Sequence, residues 1–282
     1  MKPKVIAIAG PTASGKTKMA IDLAKQIDGE IVSADSRLVY KGFDIASAKP
    51  TLEERAGVPH HLIDIVEPEF DYSAGNYADD ARKAIYDIIS RGKTPIVAGG
   101  TGLYFRILLE HYDLPRVEAN PKLREELNQR EKDDLLNEIK KLDPVSYKRL
   151  YDSNKRRIVR ALEVMKILNK PFSEVSTQKE AEFDVEWKMP YIESREVLYD
   201  RINKRVDIMV EQGIINETQN LLKKHGRIKN FVCTIGYREI LTYLDGIATL
   251  EEAIDKLKQH TRNYAKRQLT WFRANPELDC NI

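Results

Sequence analysis

Cysteine is nearly absent. The 282 residues include two, Cys233 and Cys280, too few for a disulfide framework or a four-ligand zinc site of their own. Long apolar runs are missing too, and nothing approaches the eighteen or so consecutive apolar residues of a membrane span. The N-terminus, Met1-Lys2-Pro3-Lys4-Val5, carries no apolar h-region and no cleavage site. No internal repeat or low-complexity tract interrupts the chain. These absences exclude secreted mini-proteins, membrane proteins and zinc fingers. A cytoplasmic, mixed globular protein is expected, large enough for two domains or for one domain with an insertion.

Net charge is also small, at +2, but it is unevenly placed. Lys148 to Lys170 holds eight Lys and Arg against Asp152 and Glu163. Lys256 to Arg273 holds six Lys and Arg and no acid. Each run is net +6, so the remainder is net −10. Two basic segments on an acidic background are a plausible polyanion footprint, or simply solvated helix faces.

Lys4–Ala9 is a short apolar run ending in glycine, as a buried strand would be. Met19, Ala20, Leu23, Ala24 and Ile27 follow at helical spacing. Glu30–Ala34 reads as a second strand ending at Asp35, Leu62–Val66 as a third and Pro95–Ala98 as a fourth. Ala78, Ala81, Ile85, Ile88 and Ile89 mark a helix entered through Ser73-Ala74-Gly75. Such alternation implies an α/β fold with a parallel sheet flanked by helices. From Pro121 to Leu168 the pattern is helical with no strand candidate, and Asp143-Pro144 marks a turn and helix start. Pro171–Pro190 is irregular and reads as a linker. Ser194–Phe272 is again mostly helical. The expected division is a core of residues 1–115 and 191–282, with a helical insertion over 116–190.

Gly10-Pro11-Thr12-Ala13-Ser14-Gly15-Lys16-Thr17 fits G-x-x-x-x-G-K-[ST] between a predicted strand and a predicted helix. Its glycines permit a turn whose N–H groups converge on one oxyanion, and the following helix adds its N-terminal partial charge. Lys16 supplies a point charge, and the Thr17 hydroxyl is a candidate ligand for Mg²⁺ bridging phosphate oxygens. The motif indicates a di- or triphosphate without naming it. The second metal-binding acid of an ATPase is missing from the fourth strand, which ends in Gly99-Gly100-Thr101-Gly102. Asp35, at the carboxyl end of the second strand, is better placed as a metal carboxylate, a helix cap or a general base.

Further segments narrow the reading. Asp35-Ser36 with Tyr40, Ala48-Lys49-Pro50 and Gly99-Gly100-Thr101-Gly102-Leu103-Tyr104 follow the loop in order. Then come Arg157–Val164, Ile235-Gly236-Tyr237-Arg238-Glu239, and Lys266-Arg267-Gln268 with Trp271-Phe272-Arg273. Over residues 5 to 273 the chain resembles the tRNA dimethylallyltransferases (isopentenyltransferases), in their bacterial form. The resemblance implies a P-loop core with a helical insertion. It also implies transfer of a dimethylallyl group from dimethylallyl diphosphate to N6 of adenine 37, beside the anticodon of tRNA. The loop would then hold a diphosphate leaving group, Asp35 would be the base, and Thr12, Thr101 and Arg205 would lie near the reacting atoms. tRNA contacts are implied at Asp35, Ser36, Arg37, Leu38, Thr101, Arg124, Arg156, Arg157, Ile158, Val159 and Arg160, and again at Cys233, Thr234, Ile235, Gly236, Tyr237 and Arg238. Mg²⁺ is the expected cofactor and a monomer the expected state.

Leu38 stands where many members have Gln, Ser47 where Thr is frequent, and the Pro121–Asp143 region looks short. A free-nucleotide prenyltransferase, a small-molecule kinase and a non-catalytic RNA-binding module are the alternatives. Tyr264, Trp271 and Phe272 read as core rather than base-stacking residues, and Cys233 as packed. His60-His61 point in different directions and lack a third ligand for a metal site.

Overall fold

The computed structural model describes residues 2–110, 115, 117–175 and 180–282. The chain divides into two compact units, one of residues 1–109 and 182–282, the other of 110–181. In the first, β1 (Lys4–Ala9) leads into α1 (Lys16–Gln26), β2 (Gly29–Ala34), the short α2 (Leu52–Arg55) and β3 (His60–His61). There follow α3 (Ala74–Ser90), β4 (Thr94–Gly99) and α4 (Gly102–Leu108). The second unit is helical, with α5 (Pro121–Gln129), α6 (Lys132–Leu142), α7 (Pro144–Leu150), α8 (Lys155–Leu168) and α9 (Phe172–Val175). The first unit resumes with β5 (Asp184–Lys188), α10 (Arg195–Glu211), α11 (Ile214–His225), α12 (Lys229–Val232), α13 (Tyr237–Leu244) and α14 (Leu250–Phe272).

The sheet runs β3-β2-β4-β1-β5, all parallel. Its side chains alternate between two covered faces, as the period of two demands. Ile6, Ile8, Ile31 and Ile96 pack with Ala20, Ile21 and Ala24 of α1. Val5, Ala7, Val32 and Val97 pack on the opposite face with Tyr77, Ala81, Ile85 and Ile88 of α3. Ser73 caps α3 by accepting from Asn76 N–H at 3.1 Å, with the Asn76 side chain reaching back to Ser73 N–H at 3.0 Å. Among the described residues no helix is long and apolar enough to cross a membrane.

Two expectations need correction. The third strand is His60–His61, not Leu62–Val66. Leu62 and Asp64 adopt left-handed φ of 62° and 57°, which no strand tolerates, and Val66 makes only an isolated bridge to Tyr40. Pro171–Pro190, read as a linker, contains β5, which pairs with β1 from Lys4↔Asp184 to Ile8↔Lys188. Val185 and Trp187 pack on the α3-side core, while Glu186 ion-pairs with Lys4 at 2.9 Å and Lys188 at 2.7 Å. The core unit therefore resumes well before residue 191.

Glu30 is a buried carboxylate on β2, 2% exposed. It accepts a bidentate pair from Arg91, one bond being Nη2 to Oε2 at 2.8 Å, and it meets His61 Nε2 at 2.8 Å. The Arg91 bonds lower its pKa from 4.5 to about 2, against burial and with help from His61. A depressed carboxyl pKa stabilises the fold above the unfolded value, and that contribution is lost as pH falls from 4.5 toward 2. Glu30→Ala is expected to cost about 1–3 kcal/mol at neutral pH and to flatten the acid limb of the stability curve. Urea unfolding at pH 7 and at pH 3.5 checks this; equal losses at both would exclude the ion pair as the cause.

The helical unit has its own core of Leu127, Leu135, Ile139, Ile158, Val159 and Leu162. Asp143 caps α7 by accepting from Ser146 N–H at 3.0 Å, and it also accepts from Ser173 N–H at 2.8 Å. Glu163, fully buried, accepts from Asn120 N–H at 2.8 Å, Arg124 Nε at 2.8 Å and Arg160 Nη1 at 2.6 Å.

Candidate active site

Three strand ends build the site. β1 delivers the loop Gly10–Gly15, which turns through left-handed Ala13 (φ 61°) and Gly15 (φ 91°). Gly15 caps α1 without a side-chain bond, so the N–H groups of the first helical turn stay available to an anion. β2 delivers Asp35, whose Oδ1 accepts from Arg37 N–H at 2.8 Å. β4 delivers Gly99–Gly102. A Cβ at Gly99 would collide with the Ala34 carbonyl, so the glycine allows β2 and β4 to end side by side. Thr101 N–H donates to Ala34 O at 3.0 Å, and its Oγ1 accepts from Ser36 N–H at 3.1 Å. The sheet thus presents phosphate loop, carboxylate and threonine along its carboxyl edge, where open α/β sheets bind ligands.

A cavity of about 570 Å³ lies over that edge. Lys16 lines it and donates to Pro11 O at 3.1 Å. Burial lowers its pKa to about 8, with Arg205 pushing the same way and Asp35 opposing. Arg205, from α10, also lines the cavity. Its guanidinium donates to Ala48 O at 3.4 Å, and its pKa too is lowered by burial and partly restored by Asp35. Neither cation makes an ion pair among the described residues. Thr12 and Thr17 line the same space.

The segments Asp35–Leu38 and Cys233–Arg238, far apart in sequence, meet here. Arg37 Nη1 donates to Thr234 Oγ1 at 3.2 Å, and its guanidinium lies 5.5 Å over the Tyr40 ring. Ser36, Leu38, Ile235 and Arg238 also line the cavity. Arg238 is anchored on buried Glu239, with Nε and Nη2 donating to Oε1 at 2.8 and 2.6 Å. Glu239 Oε2 in turn accepts from Gly236 N–H at 2.8 Å. Tyr237 is buried, and its hydroxyl donates to Glu217 at 2.7 Å. Glu217 also accepts from Ile45 N–H at 2.8 Å, so it pins the segment ending in Ala48-Lys49-Pro50. Lys49 closes that segment with bonds to Tyr40 O at 3.0 Å and Asp44 Oδ1 at 2.7 Å.

Other sequence-derived residues fall elsewhere. In the helical unit Arg156 and Arg157 are exposed on α8. Ile158 and Val159 are buried in that unit's core, so their side chains are not surface contacts. Arg124 and Arg160 are held by Glu163 as described above. Cys233 is exposed at the cavity, not packed. His60 also lines the cavity, with Nδ1 at 2.8 Å from Val58 O.

α14 contributes more than its charge suggested. His260, Tyr264, Arg267 and Gln268 lie on its cavity face, at the i, i+4, i+7, i+8 spacing of one helical stripe. Phe272 is core, as expected, but Tyr264 reaches the site. Its pKa is pushed up to about 12, first by burial and then by the Asp35 charge, with the Thr101 hydroxyl pulling the other way. The stripe's period was the available signal.

Two family descriptions match: IPP transferase over residues 38–275 and isopentenyl transferase over residues 3–66. A tRNA dimethylallyltransferase from Anoxybacillus flavithermus is 44% identical over 97% of this chain and 88% of its own length. The crystal structure of full-length tRNA isopentenylpyrophosphate transferase from Bacillus halodurans is 42% identical. It superposes with a TM-score of 0.73 over 98% of this chain and 89% of its own. A eukaryotic dimethylallyltransferase acting on tRNA is 32% identical, with a TM-score of 0.82 over 96% of this chain and 70% of its own. With a phosphate loop, a facing carboxylate and such similarity along nearly its whole length, the chain belongs to the IPP transferase family.

Proposed function

We propose that the protein transfers the dimethylallyl group of dimethylallyl diphosphate to N6 of adenine 37 in tRNA, releasing diphosphate. The observation that carries this reading is the single cavity in which Lys16 and Arg205, free of ion pairs among the described residues, face the carboxylate Asp35. An anionic leaving group and a proton acceptor are the two needs of N-alkylation by an allylic diphosphate. The relatives' names favour this reaction over a kinase or a free-nucleotide prenyltransferase.

In the reaction the N6 lone pair forms a bond to C1 of the dimethylallyl group. The C1–O bond breaks, and its electron pair leaves on the diphosphate. Asp35 takes the N6 proton, a base contribution typically worth ~10²–10⁴-fold. Lys16 and the N–H groups at the start of α1 stabilise the charge growing on the departing oxygen. Arg205 adds positive charge from α10. Thr12 on the loop and Thr101 beside Asp35 order the reacting groups.

The donor set suits Mg²⁺. That ion takes one or two protein oxygens plus phosphate oxygens rather than an all-protein cage. Thr17 lines the cavity, as does Ser33, whose buried hydroxyl has no hydrogen-bond partner. Thr17, with Ser33 beside it, would hold it, and it would supply neutralisation of the diphosphate charge.

On the RNA side, Arg37, Arg238 and Arg267 line the cavity and would contact the anticodon loop. Arg156 and Arg157 on the helical unit offer exposed cations for stem phosphates. Adenine 37 must leave its stack for N6 to reach Asp35.

The test is direct. The protein is incubated with Mg²⁺, dimethylallyl diphosphate and unmodified tRNA bearing adenine 37, and the digested nucleosides are weighed by mass spectrometry. A prenylated adenosine is expected. Its absence across several tRNAs, with the protein folded, would overturn the reading.

A further inference from the structure

The motif Lys266-Arg267-Gln268 with Trp271 is only partly accounted for by contacts with RNA. Gln268 is 5% exposed and holds two backbone groups from distant parts of the chain. Thr12 N–H, in the phosphate loop, donates to its Oε1 at 2.9 Å. Its Nε2 donates to Gly100 O, in the turn after β4, at 2.8 Å. The amide has one possible orientation, since an N–H needs an acceptor and a carbonyl needs a donor. The glycines of the turn fit this arrangement. A Cβ at Gly100 would fall on the Gln268 amide, and one at Gly102 on the Trp271 ring one turn further along α14.

The consequence lies in what the two anchored groups carry. In a phosphate loop the N–H groups turn inward toward the anion. Here the Thr12 N–H is committed to the protein instead, which fixes the peptide plane entering the loop and the direction of those that follow. Gly100 is followed by Thr101, which receives Ser36 N–H beside Asp35. A short chain of hydrogen bonds therefore runs from the loop at Thr12, through Gln268, to the turn that seats the proposed base.

We propose that Gln268 is a positioning residue of the transfer reaction, its side-chain amide setting the distance between the diphosphate loop and the Asp35–Thr101 edge. The inference rests on the dimethylallyl-transfer reading above. Displacement of a reacting pair by about 1 Å can cost on the order of 10²-fold in rate, so Gln268→Ala is expected to lower kcat by about that factor. The KM for tRNA should move little.

Gln268→Glu separates positioning from packing. As a carboxylate, the new side chain still accepts from Thr12 N–H but opposes the Gly100 carbonyl, lone pair to lone pair. Once protonated, it accepts and donates as glutamine does. The ratio of Q268E to wild-type kcat is expected to rise about tenfold or more between pH 8 and pH 5.5, whereas pH effects common to both enzymes cancel in the ratio. Thermal melting of both variants accompanies the kinetics. A flat Q268E ratio, a Gln268→Ala enzyme with wild-type kcat, or melting losses that account for the lost activity would each overturn the positioning role. Wild-type transfer in the same assay tests the underlying reaction separately, so the two failures are distinguishable.

Discussion

Asp35→Asn is expected to reduce transfer by ~10²–10⁴-fold, the usual worth of a general base, while tRNA affinity stays within a few-fold of wild type. The asparagine keeps an oxygen for the Arg37 N–H that Asp35 Oδ1 accepts at 2.8 Å, so the turn that presents Arg37 survives. Only basicity and charge are removed. Asp35→Ala should abolish transfer as well but also frees that turn, which makes it the less selective variant. The charge has a second effect. Asp35 raises the pKa of buried Lys16, so its removal leaves Lys16 less protonated near pH 8. Single-turnover rates are therefore best compared at pH 7, with donor saturating and tRNA binding measured by filter retention. Binding and transfer lost in equal proportion would make Asp35 a recognition residue.

Lys16→Met should weaken donor binding by ~10–10²-fold, since charge-assisted hydrogen bonds contribute about 1.5–3 kcal/mol each. Its signature is in the pH dependence. Burial lowers the Lys16 pKa to about 8 in the empty site, and a bound diphosphate raises it again. The protonated form binds the anion, so wild-type affinity is level below about pH 8 and falls as pH rises beyond it. The methionine variant should lose affinity and show no inflection there. Lys16→Arg stays charged at every pH and should also lack the inflection, though its fork fits the loop poorly. Calorimetric titration of dimethylallyl diphosphate from pH 6.5 to 9.5 decides this. Full affinity in Lys16→Met would remove the loop from the mechanism.

Local order was the most legible part of this sequence. The phosphate loop and Asp35 each sit where a short buried strand stops, and both the strand and its stop are written in contiguous residues. Elements that depend on backbone irregularity or distant partners were harder to read. Leu62-Ile63-Asp64-Ile65-Val66 has strand composition, but the left-handed residues Leu62 and Asp64 break it. β5 alternates charged and apolar residues as a half-buried edge strand does, yet five residues in a polar stretch did not stand out. Helical period alone could have turned Ile158 and Val159 inward, because Ala161, Leu162 and Met165 share their buried side. The helical stripe turns Gln268 toward the site, but its hydrogen-bonding role had no local signal, since both its partners lie more than 160 residues away.

The hydrogen bond between Thr12 and Gln268 spans 256 positions and so carries a consequence for the order of assembly. Contacts of such separation form late, because the loop-closure entropy comes before any reward. A chain emerging from the ribosome completes the phosphate loop before the helical unit, and that unit can condense while synthesis continues. The loop's Thr12 N–H still waits for α14. β5 likewise reaches β1 only after the helical unit has been traversed. The geometry of the reactive centre is therefore completed only once α14 has been made, and a nascent chain that already has its phosphate loop still lacks the residue that fixes it.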